Sequence, residues 1–126
     1  MVASPEELIE RRQSGLLRVP FVRRCRLDMA GVHVSGFIVN INVLGAYVAL
    51  DALPSLGQSI GCRFGLPGTE QQIEVEGTVA WVNPRQQHPV HSLPPGFGLK
   101  FREISADAKR RIELLIAEYI ARHPPR

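Results

Sequence analysis

The chain has 126 residues, 44% of them hydrophobic and 21% charged. That excludes a disordered or collagen-like polymer and leaves room for one domain with a sizeable core, but not comfortably for two. A formal net charge of +3 and a pI near 9.3 favour an anionic ligand without demanding nucleic acid. No stretch approaches the roughly 18 to 20 apolar residues needed to span a bilayer, and Glu6 and Glu7 make the first residues unlike a signal peptide. The expectation is a cytoplasmic protein with no membrane insertion.

At the N-terminus Ser4 is a capping candidate, Pro5 sits at a first helical position and Glu6 and Glu7 place acids in the first turn. These signals predict a short helix that stops near Ser14 and Gly15. Leu16 to Pro20 reads as an extended link, because the residue before a proline is pushed out of the helical region. Six arginines, at 11, 12, 18, 23, 24 and 26, crowd this region and the strand after it. Strand parity puts Arg24 and Arg26 on one face and Arg23 on the other.

From Phe21 the pattern takes the period of strands. Val22 to Leu27 and Val32 to Ile41 alternate, with Asp28-Met29-Ala30-Gly31 as a tight connection between them. In the second run Phe37, Val39 and Ile41 fall on one face and Val34, Ile38 and Asn40 on the other. Further strands are expected over Ala46 to Leu50, Ser59 to Leu66, Gln72 to Val82 and Gly96 to Phe101, the middle two joined by a turn at Pro67-Gly68-Thr69-Glu70. Phe37, Tyr47, Phe64, Trp81, Phe97 and Phe101 sit mostly in registers expected to be core, so a nucleic-acid surface of basic residues interleaved with exposed aromatics is not expected. Cys25 and Cys62 lie inside strand-like runs and read as reduced core side chains.

After Ser105, a good N-cap, Ile112, Leu115, Ile116, Tyr119 and Ile120 form one apolar stripe of a helix reaching about His123. Six antiparallel strands with one oily face must close on something, so the layout predicts an all-β, six-stranded antiparallel barrel with a C-terminal helix over its mouth or against a partner. Residues 1–126 are read as a single domain: an arm over 1–20, the barrel over 21–103 and the helix over 105–123.

Between the first long hairpin and the third strand stands Val39-Asn40-Ile41-Asn42-Val43-Leu44-Gly45. Asn40 and Asn42 share strand parity, so their amides can point the same way, each with donors and an acceptor. Gly45 frees the backbone to turn or to admit something close. Upstream guanidinium groups can take phosphate oxygens or a guanine edge in bidentate fashion while the amides take another edge, so the set suits a planar anionic ligand. Asn and Gly are equally what a strand end uses to satisfy its own backbone.

Catalysis finds no support. There is no nucleophile with a base, no paired carboxylates, and no GxGxxG, Walker or zinc spacing. The segment Gln86 to Pro95 is longer than a hairpin needs, and its prolines suit a stiffened interaction lobe. His88 and His91 have no cysteine or carboxylate beside them in that loop, so no metal is expected there.

The order of these parts resembles the PilZ domain family. Arg18-Val19-Pro20 leads into the first strand, then come the Asn-x-Asn-x-x-Gly corner, Val79-Ala80-Trp81-Val82, Gly96-Phe97-Gly98-Leu99-Lys100-Phe101 and a helix opened by Ile104-Ser105. The resemblance runs from about Arg11 to Ile120. It implies the barrel with its helix, and a bacterial receptor that binds cyclic di-GMP and passes the signal to a protein target. In that family an RxxxR motif and a (D/N)xSxxG motif grip the ligand. Asn40 and Gly45 match the outer positions of the second, with Asn42 where serine is usual. For the first, Ser14 stands four residues before Arg18, so Arg12 gives RxxxxxR. The resemblance thus implies Arg11 or Arg12, Arg18, Asn40, Asn42 and Gly45 as ligand-binding residues. A PilZ-like interaction module that binds no nucleotide is the alternative.

Overall fold

The computed structural model describes residues 17–84 and 93–123. The expected N-terminal helix, Arg11, Arg12, His88 and His91 lie outside them.

Strand β1 (Val19–Met29) opens the barrel, two residues earlier than the alternation from Phe21 suggests. It pairs with β2 (Val32–Ile41) through a two-residue turn in which Ala30 and Gly31 have φ of 53° and 83°. Positive φ at both central positions gives a connection whose twist matches the strands it joins. After the asparagine corner come β3 (Gly45–Ala49), β4 (Ser59–Gly65), β5 (Gln72–Asn83) and β6 (Gly96–Glu103). The sheet runs β1-β2-β3-β6-β5-β4 and closes because β4 also pairs with β1, all antiparallel. The link between β3 and β4 is pinned to β5, where Gly57 N donates to Val79 O (2.8 Å) and Val79 N to Gln58 O (3.0 Å).

Alternate residues of every strand fill the interior: Leu27, Ile38, Ile60, Phe64, Val75, Phe97 and Leu99 are buried. Helix α1 (Ala106–Arg122) starts where the hydroxyl of Ser105 accepts from Ala108 N at 3.0 Å. Its buried positions Ala108, Ile112 and Ile116 join the same core, with Leu115, Tyr119 and Ile120 partly buried against it. The stripe read from the sequence therefore packs on the barrel core of this chain.

Cys25 and Cys62 are free and buried. The register sets them diagonally across β1 and β4, Cys25 opposite Phe64 and Leu27 opposite Cys62. Their mutual hydrogen bond pulls the Cys25 thiol below its ordinary pKa; the same bond, with burial, pushes Cys62 well above it.

The face assignment in β2 needs correcting. Val34 and Ile38 do face inward, but Phe37 is 46% exposed whereas Ile41 is fully buried. The cause is a register shift between Ile38 and Asn40, since one extra residue exchanges the two faces for everything beyond it. A second shift, between Pro20 and Arg23, leaves Arg23, Arg24 and Arg26 all exposed and cancels the split that parity implied.

Ala30 holds a left-handed conformation that suits asparagine or glycine better. Ala30→Asn is expected to raise stability by about 0.5 to 1 kcal/mol, measured as a higher urea midpoint at unchanged slope.

Candidate functional site

The corner after β2 divides its two asparagines between different tasks. Asn42 is 7% exposed, and its Oδ1 accepts from Leu44 N and Gly45 N, both at 2.9 Å. Asn42 N donates to Gly45 O at 2.9 Å, which closes the turn. The carboxamide oxygen of Asn42 thus serves the backbone, in the manner of an Asx-turn. Asn40, two residues earlier and within β2, is only partly buried, and its Oδ1 accepts from Arg18 Nη1 at 3.0 Å. The two carboxamide oxygens thus meet different partners, a guanidinium for Asn40 and backbone donors for Asn42.

Gly45 has its own reason to be glycine. A Cβ there would run into the carbonyl of Leu99 across the β3–β6 pair. The space above it belongs to the neighbouring backbone and is not an open floor.

Arg18 lies just ahead of β1 on the exposed side, and loss of hydration against the barrel lowers its pKa from the ordinary arginine value. A guanidinium stays charged under such a shift at any physiological pH. The geometry therefore offers one cation already in contact with one amide at the barrel surface.

Two aromatic residues extend this site along the outer face. The pairing runs Asn40 to Tyr47, Tyr47 to Gly98 and Gly98 to Trp81, one row across β2, β3, β6 and β5. Tyr47 is fully buried although it is not part of the interior cluster. Its ring lies 5.2 Å from that of Trp81, its hydroxyl donates to the carbonyl of Pro94, and Asn83 Nδ2 donates to that hydroxyl at 3.1 Å. Trp81 is 43% exposed. It lies over Gly98, where any Cβ would collide with the indole.

Strand parity alone would put Trp81 on the same face as the buried Val79. A register shift between those residues turns it outward instead. The signal for it is Gly98 in the facing strand, a residue with no side chain opposite a large one. Arg18, Asn40, Tyr47 and Trp81 thus form a strip with a cation, an amide and an exposed indole. Such a strip can pair with an anionic group, hydrogen-bond a base edge and stack on a flat ring. Among the described residues there is no cluster of three or more metal-ligating side chains, and no described helix is long and apolar enough to cross a membrane.

A closed six-stranded barrel with a helix packed against its core and a polar strip outside defines a small β-barrel domain. The PilZ domain model matches residues 10–118, and the chain belongs to the PilZ domain family. Three solved structures share the fold. The Bacillus subtilis inhibitor of motility, MotI/DgrA, is 21% identical at a TM-score of 0.72, covering 86% of this chain and 51% of its own. This chain therefore spans about half the length of that protein. The PilZ domain of CeSA from a cellulose-synthesizing bacterium is 13% identical (TM-score 0.55), covering 81% of this chain and 96% of its own. The PilZ domain of YcgR from Escherichia coli, solved with c-di-GMP, is 12% identical (TM-score 0.63), covering 85% and 92%. No curated protein matches the chain.

Asn42→Ala removes the acceptor for two backbone donors and is expected to cost about 1 to 3 kcal/mol, read in chemical denaturation. Asn42→Asp keeps that oxygen and should lose much less.

Proposed function

We propose that this protein is a cyclic di-GMP receptor that relays occupancy of the Arg18–Asn40 strip to a protein target. The observation that carries this reading is the 3.0 Å hydrogen bond from Arg18 to Asn40, which brings the arginine ahead of the barrel and the corner amide into one place. Membership of the PilZ family and a shared fold with a c-di-GMP-bound domain support it. Arg18 supplies a bidentate partner for phosphate or guanine, Asn40 a base-edge contact, and Trp81 a platform for stacking. Arg11 or Arg12 supplies the second cation, reaching back across the RxxxxxR spacing. Asn42 and Gly45 act by shaping the corner. The role is binding and relay, with no chemical step.

One observation favours the reading without nucleotide: the Asn42 oxygen is committed to two backbone donors. An interaction module would use the segment from Gln86 to Pro95, whose base is held by Leu50 N donating to Pro95 O at 3.1 Å. In that case deleting residues 86–92 loses a pull-down partner while Asn40→Ala keeps it.

Trp81 is the single tryptophan in the sequence, so its fluorescence reports the strip directly. Titration with cyclic di-GMP should change that emission and release heat in calorimetry. Arg18→Ala should weaken binding by about ten- to a hundredfold, the worth of one bidentate contact. Absence of heat with the wild-type protein, or equal affinity in the variant, rejects the receptor.

A further inference from the structure

A second basic surface lies on the outer face of β1 and β4, separate from the strip. Arg23, Arg24, Arg26, Arg63 and Gly65 line a trench of about 610 Å³, and no carboxylate among the described residues lines it. Arg26 and Arg63 stand directly opposite each other in register, where like charges repel across a pair of strands. Arg63 is held by Glu74 on its other side. Arg23 and Arg26 form no ion pair among the described residues. The sheet therefore carries an electrostatic cost that an incoming anion would relieve.

Gly65 supplies the second observation. At Gly45, Gly77, Gly96 and Gly98 a Cβ would strike neighbouring backbone or an indole, so the fold itself excludes a side chain. At Gly65 the nearest atom would be Arg23 Nη2 at 3.6 Å, ordinary contact with the end of a flexible side chain, and its φ is not positive. The barrel does not need glycine there, but an open trench floor does.

The flanks indicate what kind of anion fits. Val22, next to Arg23 in the chain, is 74% exposed, and Phe37, opposite Arg24 in register, is 46% exposed. The Arg24 guanidinium already lies over the Phe37 ring, 5.6 Å from its centroid. A single-stranded nucleic acid needs open aromatic faces for its bases, whereas an aliphatic valine and an occupied ring pack against side chains. Planar guanidinium groups match carboxylates in bidentate fashion.

We propose that this trench docks an extended acidic segment of a protein partner, its carboxylates on Arg23, Arg24 and Arg26 and its apolar residues on Val22 and Phe37. This surface stands whether or not a nucleotide binds the strip.

The test uses the full chain and a fluorescein-labelled peptide of alternating glutamate and leucine, read by anisotropy. The peptide should bind, and its glutamine counterpart should not. Arg26→Glu and Arg24→Gln should each weaken it by about tenfold, one charge-assisted contact. Arg110→Glu makes the same change in net charge as Arg26→Glu on an exposed position of α1 and should leave it unchanged, as should Asn40→Ala. Gly65→Val should keep the melting temperature and lose the peptide, while Arg26→Glu should melt no lower than wild type because Arg63 loses its facing cation. No binding of the glutamate peptide, equal weakening by Arg110→Glu, full binding by Gly65→Val, or tighter binding of labelled oligothymidylate than of the peptide overturns the proposal.

Discussion

Closure of the barrel is the constraint on which the rest depends. Because β4 returns to pair with β1, each of the six strands has hydrogen-bonded neighbours on both sides and no strand is an edge. Closing so few strands demands strong local bending, and bulges provide it. Three of the register shifts fall between Pro20 and Arg23, Ile38 and Asn40, and Val79 and Trp81. Each redirects side chains toward the outer face, and together they assemble the polar strip and expose the arginines of β1. The same geometry that shuts the core against water therefore composes the surface.

This explains which features were legible in the sequence. Strand existence, the β1–β2 and β4–β5 hairpins and the helix with its Ser105 cap follow from alternation, turn residues and a 3.6-residue stripe, all local signals. Core residues such as Phe64 and Phe97 follow too, because uninterrupted parity carries them. Faces beyond a bulge do not follow. Ile41 is buried where Phe37 is exposed, and Trp81 parts company with Val79, since a single extra residue has no signature of its own in hydrophobic periodicity. Asn40, conspicuous for its amide, does meet Arg18, and Tyr47 is buried as its register implies, whereas the outward turn of Trp81 has no mark in the periodicity.

The corner shows how residue type underdetermines role. Asn40 and Asn42 offer identical groups two positions apart, yet one oxygen meets a guanidinium at the surface and the other is buried against backbone donors. Burial decides between them. A buried amide with unsatisfied backbone N–H groups nearby is held by the turn, because leaving those donors bare would cost more than any surface contact returns. Gly45 follows the same logic, its hydrogen making room for the Leu99 carbonyl. Asn42 and Gly45 are thus tied to any ligand through the shape of the corner, while Arg18 and Asn40 can touch one.

The two outer surfaces share β1, with Arg18 ahead of it and Arg23, Arg24 and Arg26 along it. A strand hydrogen-bonded on both sides and packed below by Cys25 and Leu27 cannot slide without breaking register in two neighbours and exposing core. Signal transfer from the strip to the trench by movement of β1 is therefore disfavoured by the fold. The base of the connection between β5 and β6 is held instead by side chains, through Tyr47, Asn83 and Pro94. Tyr47 neighbours Asn40 in the pairing and touches Trp81, so a ligand that reorders the strip acts on that base directly. Any rearrangement of the strip would accordingly run through side chains over the barrel surface, with the barrel as a fixed frame.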